Sequence, residues 1–457
     1  MSVLIKNGII GTADGSFRGD LLIEGEKITA VGESIHCAGA EVIDAAGRYV
    51  VPGGVDPHTH VMLHVGKNKV SDGFEAATKA ALCGGTTTIA EHPAFAVDGA
   101  PLASAPDDTL KEAESGSWCD FGVHLVFQRW DAAISEELTD AVANGFATGK
   151  VYTTYSGRLC DEDILPLMKR MKECGGLLFY HCENNAVTAG LQADFRATGQ
   201  TAAEFWPLSR PDYCEAEAVN RVLALAKAAD SPVYIVHLST KAGLKVIVEA
   251  RKTGQKVFAE TCPQYLLLTD KLYKAANGLD YIMAPPLRSQ TDCEALWKAL
   301  GNGDIDTVGT DHCSFSRRDK IRHGKRDVFK SPSGIPGIET RLPLLFSEGV
   351  LRNRISLEQF VSLTATAPAR ILGFADKGRL EAGADADVVI IDPDAQKKLT
   401  VRTLHQLVDY TPFENMTVHG WPEYVWLRGR AVIAKGRFAA RKPRGTFVKR
   451  KIEAPAR

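Results

Sequence analysis

The chain has 457 residues, of which 45% are hydrophobic and 24% are charged, a composition typical of a globular protein. Its formal net charge of −2 offers no general attraction for nucleic acid, so we predict no nucleic-acid partner. No apolar run approaches the ~18 residues that a membrane-spanning helix needs, so we predict no membrane partner either.

The first predicted elements, in residues 1–15 (MSVLIKNGIIGTADG), are a strand, a turn and a second strand. This stretch lacks the charged region and the following apolar region of a secretory signal. The ten cysteines of the chain form no CxxC pair. We therefore expect free thiols in a cytoplasmic protein.

Short apolar runs separated by turn residues fill both ends of the chain. They continue to about residue 50, and they return near the other end in DADVVIIDPD and EYVWLRGRAVIAKGRF. Because neither end has enough strands for a stable sheet, we predict one small β-sandwich domain formed from residues 1–50 and 376–457. Its basic tail, residues 441–457, is either a solvated tail or a subunit-contact arm.

Between the two ends, apolar strands alternate with amphipathic helices. The eight predicted strands are residues 48–56, 86–93, 119–127, 149–155, 175–183, 232–239, 255–264 and 306–315. Repeated βα units predict a parallel sheet, and eight of them predict an α/β fold with a (β/α)₈ TIM-like barrel over residues 51–375. A doubly wound open sheet is the alternative, although no GxGxxG motif follows the first strand.

Polar side chains stand at the predicted carboxyl ends of four strands, where a barrel carries its functional groups. They are His58 and His60 after the first strand, His181 after the fifth, His237 after the sixth and Asp311 after the eighth. Each alone fits a core histidine or a turn, but together they indicate one metal-binding rim. Nitrogen and oxygen ligands without a thiolate suit Zn²⁺, or Mn²⁺ or Co²⁺. Because a single catalytic zinc uses three protein ligands, we predict two ions.

Lys150 lies on the predicted fourth strand, GKVYTTYSG, where an apolar residue is expected. Two cations need a bridging anion, and the three nearby glutamates, Glu91, Glu183 and Glu260, also fit as buried hydrogen-bonding groups. A lysine beside two dications would be neutral, and a neutral amine can add CO₂ to form a bridging carbamate. We therefore predict that Lys150 is carboxylated, and the alternative is a salt-bridged or snorkelling lysine.

The chain closely resembles the cyclic amidohydrolases, in their hydantoinase and dihydropyrimidinase branch, and most of all the phenylhydantoinase-type D-hydantoinases. The resemblance covers nearly the whole chain, and its marks are PGGVDPHTH, KVYTTY, LSRPDYCEAEAV, AETCPQYLLL, APPLR, GTDHCSF and GIPGIETRLPLLF. It implies a distorted TIM barrel with a small β-sandwich from both termini, and it implies a homotetramer.

The resemblance also implies two zinc ions per subunit. The implied ligands are His58, His60 and Asp311 for one ion and His181 and His237 for the other, with Lys150 as N6-carboxylysine and a hydroxide between the two ions. CO₂ is then required for the lysine modification. Asp311 would pass the proton of the attacking water to the leaving nitrogen.

The substrate contacts implied by the resemblance begin with Tyr155, which would hydrogen-bond the substrate carbonyl and the developing oxyanion. Main-chain groups at Ala284 and Ser333 would hold the ring amides, although serine and asparagine are usual at these two positions. Further possible pocket residues are His64, Val65, His92, Tyr152 and Leu159.

The implied reaction is hydrolysis of the cyclic amide bond of hydantoins or dihydropyrimidines to N-carbamoyl amino acids. Allantoinases are one alternative, since they favour alanine at the place of Ala284, but they lack the tyrosine found here at Tyr155. Non-catalytic dihydropyrimidinase-like scaffold proteins are another, but they have lost metal ligands that this sequence keeps. Met62 stands where dihydroorotases carry an arginine, which argues against a charged, orotate-like substrate.

Overall fold

The structure is a computed structural model that describes residues 2–452, so residues 453–457 of the predicted basic tail lie outside the described residues. The strands are β1 (Ser2–Gly11), β2 (Ser16–Glu24), β3 (Lys27–Gly32), β4 (Glu41–Asp44), β5 (Tyr49–Pro52), β6 (Gly54–Thr59), β7 (His64–Val65), β8 (Asn68–Lys69), β9 (Thr86–Glu91), β10 (Asp120–Val123), β11 (Leu125–Val126), β12 (Thr148–Tyr152), β13 (Leu177–His181), β14 (Val233–Ile235), β15 (Val257–Thr261), β16 (Thr307–Val308), β17 (Val388–Lys398), β18 (Thr417–Leu427), β19 (Arg430–Ala434) and β20 (Arg437–Phe438).

Helices fill most of the connections between these strands. The α-helices are α1 (Gly73–Cys83), α2 (Ser104–Gly116), α3 (Ala132–Ala143), α4 (Asp161–Glu173), α5 (Asn185–Ala197), α6 (Asp212–Ala229), α7 (Lys241–Lys252), α8 (Pro263–Leu267), α9 (Gln290–Asn302), α10 (Arg317–Gly324), α11 (Arg341–Leu345), α12 (Leu357–Val361) and α13 (Ala367–Leu372). Short 3₁₀ or π segments cover Ala203–Phe205, Pro207–Ser209, Asp270–Lys274, Gly278–Tyr281, Val328–Lys330, Phe346–Val350 and Ser362–Thr366. Within residues 2–452, every helix is too short or too polar to cross a membrane.

Both ends of the chain join one nine-stranded sheet, which we call the terminal sheet. Its order is β20-β19-β18-β17-β5-β1-β2-β3, and β4 also pairs with β1. Alternate apolar residues of these strands pack into a common core, which includes Ile5, Ile10, Leu21, Val388 and Trp426. The predicted β domain formed from both termini is therefore confirmed.

The chain passes from the terminal sheet into the barrel at Gly53. β5 pairs with β1 and β17, whereas β6 pairs with β9, so the single strand predicted over residues 48–56 is in fact two strands in two sheets. A Cβ atom on Gly53 would clash with the Thr87 side chain, so the crossing between the sheets requires glycine. β5 extends across the domain limit placed after residue 50, and the predicted domain limits stay predictions.

Eight parallel strand positions form the barrel, and this confirms the predicted (β/α)₈ fold over the doubly wound alternative. β10, β9 and β6 form one group, and β11 to β16 continue in sequence order. β10 and β11 are one interrupted strand position, with His124 between them. A parallel bridge between Thr59 and His312 joins the first strand position to the eighth and closes the barrel.

The basic tail is not wholly solvated, because its last described residues pack on the barrel. The Phe121 N–H donates to the Thr446 carbonyl at 3.0 Å, and the Val448 N–H donates to the Phe121 carbonyl at 2.8 Å. Arg450 is buried and donates to Thr148 Oγ1 at 2.7 Å and to the Val123 carbonyl. The expectation of a solvated tail is therefore wrong for this segment, and contact with another subunit stays a prediction.

A buried lysine ties the terminal sheet to the barrel. Lys377 Nζ lies 2.6 Å from Asp120 Oδ2 at the start of β10, 2.9 Å from Asp385 Oδ2 and 3.0 Å from Asp387 Oδ2 just before β17. Its side chain is 2% exposed, so solvent screens these attractions little. One ammonium therefore neutralises carboxylates from both parts of the fold.

We expect Lys377→Met to lower the free energy of unfolding by about 3–5 kcal/mol, because buried Asp387 then keeps no cationic partner among residues 2–452 and Asp120 keeps only Arg428, at 3.4 Å. Urea denaturation followed by circular dichroism measures this change. Lys27→Met is the matched control, since Lys27 also pairs with Asp385 but is 42% exposed, and there we expect a loss of about 0–1 kcal/mol. Equal losses for the two variants would contradict the assignment.

Candidate metal centre and substrate pocket

The barrel brings all six predicted metal ligands to the carboxyl ends of its strands. His58 lies in β6 with His60 just after it, Lys150 lies in β12, His181 ends β13, and His237 and Asp311 follow β14 and β16. Parallel strands present these ends at one rim. We call these six residues the candidate metal centre.

Three ligand atoms converge in the first part of this centre. His58 Nε2 lies 3.2 Å from His60 Nε2 and 3.2 Å from Asp311 Oδ1, and His60 Nε2 lies 3.3 Å from the same oxygen. Lys150 Nζ lies 3.3 Å from His58 Nε2. A single divalent cation could contact the three converging atoms with small side-chain movements.

The second part is the pair formed by His181 and His237. His181 Nδ1 lies 2.9 Å from His237 Nε2, and His181 Nε2 lies 2.8 Å from Glu183 Oε2. Arg210 Nη1 donates to the same glutamate oxygen at 2.5 Å. Burial alone would raise the pKa of Glu183, but Arg210 and His181 lower this pKa to about 2. Glu183 is therefore a carboxylate, and it orients the imidazole of His181.

Glu260 contacts the ring of His58, as Glu183 contacts the ring of His181. Its Oε1 lies 2.7 Å from His58 Nδ1 and accepts from the His237 main-chain N–H at 3.1 Å, while its Oε2 accepts from the Tyr234 hydroxyl at 2.8 Å. Burial raises the pKa of Glu260 to about 8, and the cationic form of Lys150 opposes that rise. Positive charge at the rim therefore favours the ionised form of Glu260.

The protonation of these groups fits a metal site. Burial, with neighbouring cations, lowers the pKa of His58, His181 and His237, so their imidazoles are neutral, the form that binds metals. When Glu260 is ionised, His58 Nδ1–H donates to it, and the free lone pair of His58 Nε2 then points at a carboxylate oxygen of Asp311. Two acceptors that face each other at 3.2 Å repel unless positive charge lies between them. The residues present therefore fit a bound divalent cation.

Lys150 is buried, with 1% of its surface exposed. Burial lowers the pKa of Lys150 to about 8, although Asp311 and Glu260 act in the opposite direction. Within residues 2–452 its amine has one hydrogen-bond neighbour, His58 Nε2, and no carboxylate oxygen within 4.0 Å. This environment gives little support to a salt-bridged or snorkelling lysine.

Three site residues have a strained backbone. Tyr155 has φ = 72°, His237 has φ = 38° and Asp311 has φ = 52°, all in the left-handed region that favours glycine. Such strain costs about 1–3 kcal/mol per residue and persists where the surrounding fold enforces it, often at functional sites. The turn at Asp311 also explains why β16 is much shorter than the strand predicted over residues 306–315.

A cavity of about 650 Å³ opens above the candidate metal centre. The predicted residues that line it are His60, His64, Val65, Lys150, Tyr152, Tyr155, His181, His237, Ala284, Asp311 and Ser333. Two predicted pocket residues lie elsewhere. His92 stacks on His124 at 3.9 Å behind His58, and Leu159 is packed in the hydrophobic core. Both are buried and do not line the cavity.

A buried lysine, Lys320, donates to a main-chain carbonyl that also connects two walls of the cavity. Lys320 Nζ donates to the Ile282 carbonyl at 2.6 Å, and the Gly334 N–H donates to the same carbonyl at 3.0 Å. This links the segment that carries Ala284 to the segment that carries Ser333. Lys320 lies in the charged run SRRDKIRHGKR, which predicts exposed side chains, so only the fold reveals this contact.

Comparisons with known proteins agree with one another. The amidohydrolase family pattern matches residues 49–432. D-phenylhydantoinase of Escherichia coli O1:K1 / APEC is 43% identical, over 100% of this chain and 99% of that protein. The structure of dihydropyrimidinase from Brevibacillus agri NCHU1002 superimposes with a TM-score of 0.97 at 40% identity, covering 100% of both chains. The L-hydantoinase (dihydropyrimidinase) of Arthrobacter aurescens gives a TM-score of 0.90 at 32% identity, covering 98% of this chain and 99% of that one.

We expect Glu183→Gln to weaken divalent metal binding by about 10- to 100-fold, because the carboxylate that orients His181 is lost. Competition with a chromogenic chelator measures the affinity. Glu249→Gln is the matched control, since Glu249 pairs with Lys252 on an exposed helix face. Unchanged metal affinity in Glu183→Gln would contradict a role for His181 in metal binding.

Proposed function

The chain belongs to the amidohydrolase family, in its hydantoinase and dihydropyrimidinase branch, and on this basis we propose that it hydrolyses the cyclic amide bond of hydantoins or dihydropyrimidines. The product is an N-carbamoyl amino acid. The observation that carries the proposal is the convergence of His58, His60 and Asp311 beside a cavity, in a chain 43% identical to a D-phenylhydantoinase.

The proposed metal ligands are the six residues of the candidate metal centre, holding two Zn²⁺, with Mn²⁺ or Co²⁺ as alternatives. When bound, the divalent cations supply Lewis acidity at this rim. Lys150 supports a two-ion centre because its buried amine has a lowered pKa of about 8 and, among the described residues 2–452, no carboxylate oxygen within 4.0 Å. Such an amine reacts with CO₂ as the free base, and the resulting carbamate would complete the ligand set.

Other groups around the cavity bind the substrate and transfer a proton. The Tyr155 hydroxyl donates a hydrogen bond to the amide oxygen as negative charge develops there. Burial raises the pKa of Tyr155, so the phenol keeps its proton and acts as a donor. The Asp311 carboxylate accepts a proton from the attacking water and passes it to the leaving ring nitrogen. Main-chain groups at Ala284 and Ser333 hold the ring amides.

Aromatic residues support a substrate with an apolar ring substituent. Phe95, Tyr152, Trp206 and Phe329 line the cavity together with the exposed Val65. Phe95 and Tyr152 pack edge to face at 5.3 Å and form one apolar wall. We therefore favour 5-aryl hydantoins of the D series, in line with the D-phenylhydantoinase relative.

The other functions considered have less support. Tyr155 lines the cavity beside His181, with ring centroids 5.1 Å apart, which favours hydantoins over allantoin. All six ligand positions carry ligating side chains, which favours an enzyme over a scaffold protein. The homotetramer and the cytoplasmic location expected from the sequence stay predictions.

We expect Lys150→Ala to lower kcat by on the order of 10⁴, as when one member of a cooperating catalytic set is removed. Metal content, measured by atomic absorption, should fall with it. Short-chain carboxylates such as acetate or propionate should partly restore both the rate and the metal content. An unchanged metal content and rate would contradict the assignment of Lys150.

A substrate panel tests the ring specificity. We expect the protein to open the rings of 5-phenylhydantoin, hydantoin and dihydrouracil and to turn over little allantoin. Ultraviolet absorbance measures the ring opening. Tyr155→Phe should reduce kcat about 100- to 1,000-fold with KM little changed, because one oxyanion donor is lost. Fast turnover of allantoin alone would overturn the proposal.

A further inference from the structure

A second group of metal-ligating side chains lies outside the candidate metal centre. Cys83 ends α1, Glu339 precedes α11, and His405 lies in the segment after β17. One ligand atom from each lies within 4.8 Å of the other two. None of the three lines the cavity above the barrel rim, so this group is separate from the proposed catalytic site.

We propose that Cys83, Glu339 and His405 form a binding site for one thiophilic divalent cation, such as Zn²⁺ or Cd²⁺. Sulfur, oxygen and imidazole nitrogen together form a ligand set that zinc accepts in tetrahedral geometry, with a fourth position left for water. On binding, the Cys83 S–H bond breaks, its proton passes to solvent, and the thiolate sulfur binds the cation. This inference does not rest on the proposed hydrolase function.

The site is largely preformed by the contacts of Glu339. Glu339 is fully buried, its Oε2 accepts from the His405 main-chain N–H at 2.6 Å, and its Oε1 lies 2.9 Å from His405 Nδ1. The side chain of His405 is 41% exposed, so the ring proton can move to Nε2 on the solvent side and free the Nδ1 lone pair for the cation. The same exposure provides an access route from solvent.

The backbone next to Cys83 fits close to Glu339. A Cβ atom on Gly84 would clash with the Glu339 carbonyl oxygen, so glycine at this position allows the end of α1 to approach the segment before α11. The segment that carries His405 is also fixed, because the Leu407 N–H donates to Asp72, the residue that precedes α1. The three ligands therefore come from elements held together by other contacts.

Lys397 opposes cation binding and provides a sharp test. Its Nζ lies 3.6 Å from Glu339 Oε1 and so partly neutralises the carboxylate. The same Nζ lies 3.7 Å from the ring centroid of Trp421, a cation–π contact that holds the ammonium when the carboxylate turns to a metal. Removing this positive charge should strengthen metal binding, whereas it would only weaken a simple ion-pair network.

The experiment uses the full chain with its candidate metal centre first filled with Mn²⁺, an ion that prefers oxygen and nitrogen ligands to thiolate, and with excess metal removed by gel filtration. Titration with Cd²⁺ should produce an ultraviolet thiolate-to-cadmium charge-transfer band that saturates at one equivalent. Cys83→Ser should abolish the band. Cys174→Ser is the matched control, because Cys174 is a half-buried free cysteine beside Thr139 with no place in the group, and it should leave the band unchanged.

Two variants keep the test decisive if Cys83→Ser fails to fold. His405→Ala alters a partly exposed side chain and should weaken Cd²⁺ binding about 10- to 100-fold. Lys397→Gln should tighten it roughly fivefold, as expected for loss of one partly exposed charge. No thiolate band in the native sequence, a band that survives in Cys83→Ser, or affinities unchanged in both other variants would overturn the proposal.

Discussion

The convergence of ligand atoms from separate strands at one rim of the barrel is the constraint on which the rest of the structure depends. His58 Nε2, His60 Nε2 and Asp311 Oδ1 lie within 3.3 Å of one another, in a largely buried setting where electrostatic interactions are poorly screened. The surrounding fold holds these atoms together, and the donor set suits a divalent cation.

The contacts that hold these side chains in place extend far beyond the candidate ligands. On one side, Glu183 and Arg210 fix His181, and a strained backbone places His237 and Asp311. Beneath His58, contacts extend to the C-terminal segment: His92 packs on His58 and His124, His124 Nδ1 lies 2.7 Å from Thr148 Oγ1, and Arg450 donates to that hydroxyl. The last described residues of the chain thus support the candidate metal centre, in which His58 lies on the first barrel strand.

The barrel and the proximity of the six candidate ligands could be predicted because a parallel barrel places every strand end at one rim, so that residues spaced along the chain come together there. The lysine was informative because a cationic side chain on a strand predicted to be buried requires an explanation. Arg210, Lys320 and Arg450 gave no such signal. Each is a charged residue whose sequence surroundings predict exposure, and only packing against distant segments makes it buried.

The sequence by itself determined the order of strands and helices, the union of both termini in one sheet, and the choice of candidate metal ligands, since these follow from local periodicity and residue chemistry. Tertiary structure alone decided the split of the predicted first strand at Gly53, the exclusion of His92 and Leu159 from the cavity, and the grouping of Cys83, Glu339 and His405. The physical reason is that these features depend on contacts between residues far apart in the chain, which no local pattern encodes.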